Sequence, residues 1–360
     1  MDSLEEPLGG AEFAPKNTYL NTSACGLLPR RAIEAVVQLA EETAAGRPGG
    51  AGDFEVVNEA RAAYARLVGV APERVAVGSS VAVHCGMIAQ SMPAGSEILF
   101  PEGDFSSVIT PFTIRGDLKT RFVPLDRLAE SIGPDTALVA FSAVQSADGR
   151  TADFAAVRAA AAAHGARTLL DATQSAGWLP LRAGEWDYTV AGGYKYLLCP
   201  RGASFLTVTE EAQDSLLAIH ANWVTGEELW VNSYGPVREL AASARRFDEP
   251  VAFLSYHGAA RSLALLEEVG VERIEAHVKG LAARFRAGVV ALGHAPVMDE
   301  SAVVAVPGLG DRADALREAD VLLSVRAGHL RASFHLYNTA ADVDRALEVL
   351  AGGHRYGGAG

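Results

Sequence analysis

The sequence has few cysteines, a shortage of basic residues and no long apolar run. Its 360 residues include three cysteines without paired spacing, so we expect no disulfide framework and a cytoplasmic location. Lysine and arginine number 31 against 44 aspartates and glutamates, and the net charge of −13 argues against a nucleic-acid partner. No uncharged apolar run could span a bilayer, and the first residues lack the features of a signal peptide. We therefore expect a protein with no nucleic-acid or membrane partner.

Three short apolar runs in the middle of the chain predict buried strands. They span residues 168–171, 188–191 and 203–208 and are separated by turn residues. Asp171 closes the first run, and Lys195 ends a Gly-Gly-Tyr-Lys turn after the second. This pair suits pyridoxal phosphate, which needs a lysine to form an imine with its aldehyde and an acidic partner for its pyridinium nitrogen. For an isolated pair, the alternative is an aspartate at a strand end and a solvated lysine.

Polar or aromatic residues follow several predicted strands at the same relative position. Helical and strand patterns alternate along the chain, which indicates a mainly parallel sheet covered by helices. Ligands of such sheets bind at the carboxyl ends of the strands. The residues just past predicted strand ends are Ser79, Phe105, Gln145, Asp171 and Lys195. We therefore expect these five side chains to share one site.

The segment around Ser79 has the pattern of an anion-binding turn. A predicted strand at residues 75–77 is followed by Gly78, Ser79 and Ser80, and then by a helical pattern. Free N–H groups and the dipole at a helix N-terminus favour a phosphate, and the serine hydroxyls add donors. The alternative is that one of the serines only caps the helix.

Two motifs resemble those of the class V aminotransferases, which belong to the fold type I pyridoxal phosphate enzymes. They are Asp-Ala-Thr-Gln at 171–174 and Gly-Gly-Tyr-Lys-Tyr-Leu at 192–197. The resemblance extends from about Tyr19 to Leu350, nearly the whole chain. Cysteine desulfurases, kynureninases and isopenicillin N epimerases are relatives in this group, and the ergothioneine-pathway carbon–sulfur lyases show a local similarity.

The resemblance implies an α/β fold with two domains behind an N-terminal arm. The large domain, at residues 16–270, would bind pyridoxal 5'-phosphate and contain a mainly parallel seven-stranded sheet. The small α+β C-terminal domain would comprise residues 271–360. Residues 1–15 are acidic and contain glycine and proline, and we expect a loose arm. The family also implies a homodimer with active sites near the interface, and the aromatic segment 223–234 is the candidate contact.

The resemblance further implies a role for each strand-end residue. Lys195 would form the imine, leave it when an amino acid binds, and then serve as general base. Asp171 would keep the ring nitrogen protonated. The other implied cofactor contacts are Ser79, Ser80 and Tyr194 to the phosphate, Gln174 to the ring oxygen O3′, and Phe105 on the ring face. Gln145 stands with Ser146 where cysteine desulfurases usually have Ser-Asn, which leaves open which of the two meets the cofactor.

Arg331 and Cys25 are the residues that we expect to contact the substrate. Strand alternation over residues 330–336 puts Arg331, Ser333 and His335 on one face. In the resembled family an arginine in this position binds the α-carboxylate, a task that suits the two parallel hydrogen bonds of a guanidinium. The alternative is a solvated arginine on an edge strand. Cys25 lies in an N-terminal turn that the family places against the active site, and we expect no metal ion.

The loop before Arg331 limits the possible reactions. Cysteine desulfurases carry a nucleophilic cysteine there, but residues 325–329 contain none and no cysteine follows Cys199. Cys25 is the alternative thiol. We therefore expect transamination of an α-amino acid, with carbon–sulfur β-elimination as the alternative. Racemisation would use the same residues and stays open. A non-catalytic pyridoxal phosphate sensor is the alternative of another class, which the presence of the full catalytic set disfavours.

Overall fold

The structure is a computed structural model that describes residues 4–352. Residues 1–3 of the predicted arm and 353–360 of the predicted small domain lie outside the described residues. Within the described range, no helix is long and apolar enough to cross a membrane.

The described part of the N-terminal arm is hydrogen-bonded to the C-terminal part of the chain, which corrects the expectation of a loose segment. Leu8 donates its backbone N–H to Leu336 O at 2.7 Å, and Ala340 donates its own to Leu4 O at 2.8 Å. Both partners belong to the C-terminal part of the chain. The arm therefore packs against elements that are distant in sequence, which its acidic, glycine-bearing composition did not indicate.

A seven-stranded, mainly parallel sheet forms the centre of the molecule, as the resemblance predicts. The first strand of the chain, β1 (Thr18–Tyr19), lies outside this sheet. The sheet comprises β2 (Val75–Gly78), β3 (Glu97–Pro101), β4 (Lys119–Val123), β5 (Thr136–Ser142), β6 (Arg167–Asp171), β7 (Tyr188–Gly192) and β8 (Ser204–Val208). Their order is β2-β8-β7-β6-β5-β3-β4, and β8 runs opposite to the other six strands. The carboxyl ends of the other six strands therefore meet at one edge.

Alternate residues of the central strands pack into two apolar layers. Val139 and Phe141 of β5 belong to one buried cluster, whereas Leu138 and Ala140 belong to the other. Every residue of β7 and β8 is buried. Burial on both faces explains why these strands appear in the sequence as continuous apolar runs rather than as alternating patterns.

Helices cover both faces of the sheet. Those of the first 270 residues are α1 (Arg30–Ala44), α2 (Phe54–Leu67), α3 (Val81–Ser91), α4 (Ser106–Thr113), α5 (Phe154–His164), α6 (Glu210–Gln213) and α7 (Phe253–Val269). Ile88 of α3 and Phe112 of α4 join one apolar layer, and Tyr64 of α2 and Leu263 of α7 join the other. Residues 214–252, between α6 and α7, contain only short 3-10 turns and isolated bridges.

The C-terminal part alternates helices and short strands, as predicted for the small domain. Its elements are α8 (Val271–Ala291), β9 (Val303–Pro307), α9 (Ala313–Glu318), β10 (Val321–Leu322), β11 (Ser324–Arg326), β12 (His329–Ser333) and α10 (Ala340–Gly352). β12 is the central strand of the sheet β11-β12-β9, and β10 pairs with β1. Arg331 lies in β12 and is 1% exposed, so the alternative of a solvated edge-strand arginine is wrong. The domain boundary at Gly270 stays a prediction.

Candidate functional site

A cavity opens at the carboxyl-end edge of the large sheet. Of the predicted site residues, those that line it are Ser79, Ser80, Phe105, Asp171, Gln174, Tyr194 and Lys195. Gln145, Cys25 and Arg331 are not among the lining residues. The cavity therefore brings together most of the residues predicted from the strand ends.

Lys195 is held inside the protein by a tight turn after β7. A Cβ at Gly193 would lie 2.8 Å from Ala203 O and 2.9 Å from Cys199 Cβ, so the turn closes only around a glycine. The Lys195 side chain is buried, with Nζ 4.9 Å from the centroid of the Phe105 ring. Burial lowers the pKa of Lys195 to about 8, although the nearby Asp171 carboxylate opposes this change. The amine is therefore closer to neutrality than that of a solvated lysine.

Asp171 ends β6 and is oriented by Thr173, a residue that the sequence argument did not single out. The Thr173 N–H donates to Asp171 Oδ1 at 2.8 Å, and the Thr173 hydroxyl donates to the same oxygen at 2.5 Å. The Thr173 hydroxyl also accepts the N–H of Gly192 at 2.9 Å, which links the ends of β6 and β7. Burial raises the pKa of Asp171 to about 6, against these hydrogen bonds.

The turn between β2 and α3 holds a carboxylate. Ser80 occupies the position before α3, and its side chain makes no capping hydrogen bond, so the structure does not show the capping alternative. Glu249 Oε2 accepts both the N–H of Ser79 at 2.5 Å and its hydroxyl at 2.8 Å. The donors of Ser79 thus bind a carboxylate of the same chain, and the phosphate site at this turn stays a prediction. No pattern in the sequence indicates that Glu249, 170 residues later, supplies this carboxylate.

Gln145 and Ser146 occupy different positions relative to the cavity. Ser146 lines the cavity and accepts a hydrogen bond from Gln174 Nε2 at 3.0 Å. Gln145 is buried, and its Nε2 donates to Asp104 Oδ2 at 3.2 Å. The prediction that Gln145 contacts the cofactor is therefore not supported by its position, because its amide is engaged behind the cavity wall.

Asp104 is a further residue that the sequence argument missed. Its carboxylate accepts the N–H of Phe105 at 2.6 Å and the N–H of Ser142 at 2.7 Å. It thereby fixes the backbone beside Phe105, whose ring faces Lys195. Burial raises the pKa of Asp104 despite these hydrogen bonds. Its position just past β3 could have indicated a role in the site. The aromatic residue next to it, Phe105, was assigned to the site instead.

Arg331 lies behind Ser146 with part of its guanidinium unsatisfied. Nε donates to Ser324 Oγ at 3.1 Å, and Nη1 donates to the backbone oxygen and the hydroxyl of Ser146. Nη2 is buried and has no partner among the described residues. Burial and the neighbouring Arg326 lower the pKa of Arg331 to about 10. A buried N–H without an acceptor is costly, so Nη2 could donate to an acceptor that a ligand supplies.

Cys25 does not reach the cavity. Its thiol is half-buried and points to the backbone oxygen of Gly26 at 3.5 Å. Gly26 itself packs against the lysine turn, because a Cβ there would lie 2.1 Å from Lys195 O, and its N–H donates to Tyr194 O at 2.9 Å. The N-terminal turn thus contacts the site through its glycine, and the expectation that Cys25 contacts the substrate has no support from its position.

Comparison with known protein families gives a match over residues 18–346 to the model described as aminotransferase class-V. The chain belongs to the class V aminotransferase family. It is an enzyme of the pyridoxal phosphate group, and its cofactor is pyridoxal 5'-phosphate.

Relatives in sequence and in structure agree with this assignment. The chain is 29% identical to the uncharacterized aminotransferase YcbU of Bacillus subtilis, over 83% of this chain and 84% of the relative. It is 28% identical to the isopenicillin N epimerase of Amycolatopsis lactamdurans over 58% of each chain. The cystine C–S lyase C-DES in complex with cysteine persulfide has a similar fold, with a TM-score of 0.84, 22% identity and coverage of 93% and 97%.

The residues that line the cavity fit this cofactor. Asp171 can face a pyridinium nitrogen, the buried Lys195 can bond to an aldehyde, and the Ser79 turn donates to an oxyanion. Gln174 adds a buried Oε1 that has no partner among the described residues. One feature does not fit in its present position, namely the Glu249 carboxylate on the donors of Ser79.

The raised pKa of Asp171 predicts how stability depends on pH. Because its pKa of about 6 in the folded protein exceeds the ordinary 3.8, the folded state binds this proton more tightly than the unfolded chain does. That contribution to stability is present at low pH and is lost as the pH rises through 6. We therefore expect the free energy of unfolding of Asp171→Asn, measured relative to that of the wild type, to increase by roughly 1 kcal/mol as the pH rises from about 5 to about 7.5.

Chemical unfolding of the cofactor-free proteins at both pH values measures this difference. Asp344→Asn is the matched control, because the pKa of that exposed carboxyl is lowered by Arg284 and its removal should give no gain at higher pH. A difference for Asp171→Asn that stays constant or shrinks with rising pH would contradict the prediction.

Proposed function

We propose that this enzyme is an aminotransferase that moves the amino group of an α-amino acid to a 2-oxo acid. The observation that carries the substrate class is the buried Nη2 of Arg331, which has no partner among the described residues. A carboxylate is the natural acceptor for such a group, and Ser146 links the guanidinium to the cavity wall. The α-carboxylate of the substrate would complete the hydrogen bonding of Arg331.

Lys195 supplies the proton transfer that this reaction needs. Bound pyridoxal phosphate provides an electron-withdrawing ring that stabilises negative charge at the carbon next to the amino group. A lysine whose pKa is lowered to about 8 has an appreciable neutral fraction near neutral pH, so Nζ can accept a proton and return it. Transamination requires that one proton leave the substrate α-carbon and that one be delivered to a different, non-adjacent carbon, and Nζ would serve both transfers. Asp171, oriented by Thr173, would hold the ring nitrogen in its protonated form.

Carbon–sulfur β-elimination is the second candidate, and the turn between β11 and β12 favours it over desulfuration. Only Ala327 and Gly328 separate these strands, and both have positive φ angles, of 47° and 79°. That combination is typical of a tight two-residue hairpin turn. This turn contains no cysteine, and Cys85 and Cys199 are both buried. A sulfur-containing substrate would therefore react without an enzyme persulfide.

An amino-acid panel with the purified enzyme and a 2-oxo acid acceptor tests the proposal. We expect equal amounts of a new 2-oxo acid from the donor and a new amino acid from the acceptor, with no product from Lys195→Ala. Pyruvate, ammonia and a thiol-bearing fragment from a cysteine conjugate would instead identify a lyase. Inversion of the α-carbon without other products would identify a racemase. Absorbance changes without turnover across the panel would indicate a sensor.

We also propose that the enzyme is a cytoplasmic homodimer. Support for a subunit contact comes from the segment between α6 and α7, where Trp230 is 66% exposed and Tyr234 is 95% exposed. Large exposed aromatic side chains on one segment are common at protein interfaces.

A further inference from the structure

Glu249 is held on the anion-binding turn by the backbone that precedes it. Its neighbour Asp248 is buried and forms an ion pair with Arg61 at 2.6 Å. Asp248 Oδ1 also accepts the N–H of Val77 at 2.8 Å, and the N–H of Glu249 donates to Val77 O at 3.1 Å. These contacts fix the backbone of residues 248 and 249 beside the end of β2, one residue before the turn. They hold the Glu249 side chain next to that turn.

The Glu249 carboxylate uses the donors that a phosphate would use. Oε2 accepts both the N–H and the hydroxyl of Ser79, and a Cβ at Gly78 would lie 2.8 Å from this same oxygen. Gly78 thus leaves room for an oxygen close to the backbone. Ser79 and Ser80 also line the cavity that contains Lys195. The Glu249 carboxylate therefore occupies the edge of the cofactor site at which the phosphate of pyridoxal phosphate would bind.

We propose that Glu249 competes with the cofactor phosphate for the Ser79 donors and so sets the affinity of the enzyme for pyridoxal phosphate. Each N–H or O–H of Ser79 can donate one good hydrogen bond, and two anions at that distance repel each other. The carboxylate therefore leaves the turn when the cofactor binds. When the carboxylate leaves, its two hydrogen bonds from Ser79, which stabilise the cofactor-free form, are lost. The inference depends on the cofactor and not on the reaction proposed above.

Equilibrium binding of pyridoxal phosphate to the cofactor-free variant Glu249→Gln tests this role. The glutamine keeps the shape of the side chain but removes the charge, so we expect the dissociation constant to fall about ten-fold or more. Pyridoxal, which lacks the phosphate, should bind the variant and the wild type equally. Glu228→Gln is the matched control, because it removes an exposed carboxylate from the same segment between α6 and α7. It should leave both dissociation constants unchanged.

A double-mutant cycle with Ser79→Ala gives a second, independent readout. In the wild type this change removes a hydrogen bond from both the cofactor-free and the bound form, so the two losses largely cancel. In Glu249→Ala the hydroxyl serves only the phosphate, and Ser79→Ala should weaken cofactor binding several-fold more than in the wild type. If Glu249→Gln fails to fold, Glu249→Ala replaces it in the binding measurements with pyridoxal phosphate and pyridoxal.

The outcomes separate the proposal from its alternatives. Tighter binding of pyridoxal phosphate but not of pyridoxal, together with a non-additive cycle, supports competition at Ser79. An unchanged or weaker affinity for pyridoxal phosphate in both Glu249 variants overturns it. An equal gain for pyridoxal overturns it as well, because the effect would then not involve the phosphate. None of these results depends on turnover, so a wrong assignment of the reaction leaves the test intact.

Discussion

Lys195→Ala is expected to abolish the covalent attachment of pyridoxal phosphate and to lower turnover by roughly a thousand-fold or more. The variant loses both the amine that bonds to the cofactor aldehyde and the base that moves the substrate proton. Of the four lysines in the sequence, Lys16 and Lys119 are exposed and Lys279 is half-buried, whereas Lys195 is buried in the cavity wall. No other lysine is therefore placed to take over either task.

Borohydride reduction followed by peptide mapping measures the attachment directly. We expect the label on Lys195 in the wild type and no label in Lys195→Ala, with the visible absorbance band of the bound cofactor lost. Lys279→Ala, which removes a lysine of the C-terminal part, should retain both. A small amine added to Lys195→Ala should restore part of the turnover if the missing function is that of a base. Labelling of any other lysine in the wild type would refute the assignment.

The strands of the large sheet were predictable where both of their faces are buried. The apolar runs at 168–171, 188–191 and 203–208 became β6, β7 and β8 with shifts of one residue at their ends. The edge strand β4 was not predicted, because Lys-Thr-Arg-Phe-Val has only partly buried or exposed residues and no apolar run. Strand direction was equally hidden, since a run of apolar residues reads the same whether its strand is parallel, like β6, or antiparallel, like β8.

The cavity residues that could be predicted are those whose positions are determined by the end of a strand. Asp171 ends β6 and Lys195 lies three residues past β7, so the backbone places both at the carboxyl edge. Gln145 and Ser146 follow a strand too, but adjacent residues there point in different directions, and the family motif did not decide between them. Asp104 and Glu249 act through contacts between distant segments. Neither contact leaves a periodic pattern in the sequence, so each required the folded chain.

Arg331→Ala is expected to lower kcat/KM for the amino-acid substrate by roughly thirty-fold or more, because losing a buried hydrogen-bonded ion pair typically costs about 2–5 kcal/mol. The residue is 1% exposed, and the contacts it makes within the protein, to Ser324 and Ser146, leave Nη2 for a ligand. Arg331→Lys should recover only part of the loss, since an ammonium cannot form two parallel hydrogen bonds with a carboxylate. Cofactor affinity should change little.

The decisive comparison uses substrate and variant together. An amide or ester of the same amino acid lacks the carboxylate charge, so the wild type and Arg331→Ala should use it about equally, whereas the free acid should separate them. Arg286→Ala is the control for the general effect of removing a buried arginine, because Arg286 bonds to Ser301 O in the C-terminal part and does not line the cavity. If Arg331→Ala discriminated equally against acid and amide, its defect would be structural. The anion that completes Nη2 would then have to be a group other than the α-carboxylate.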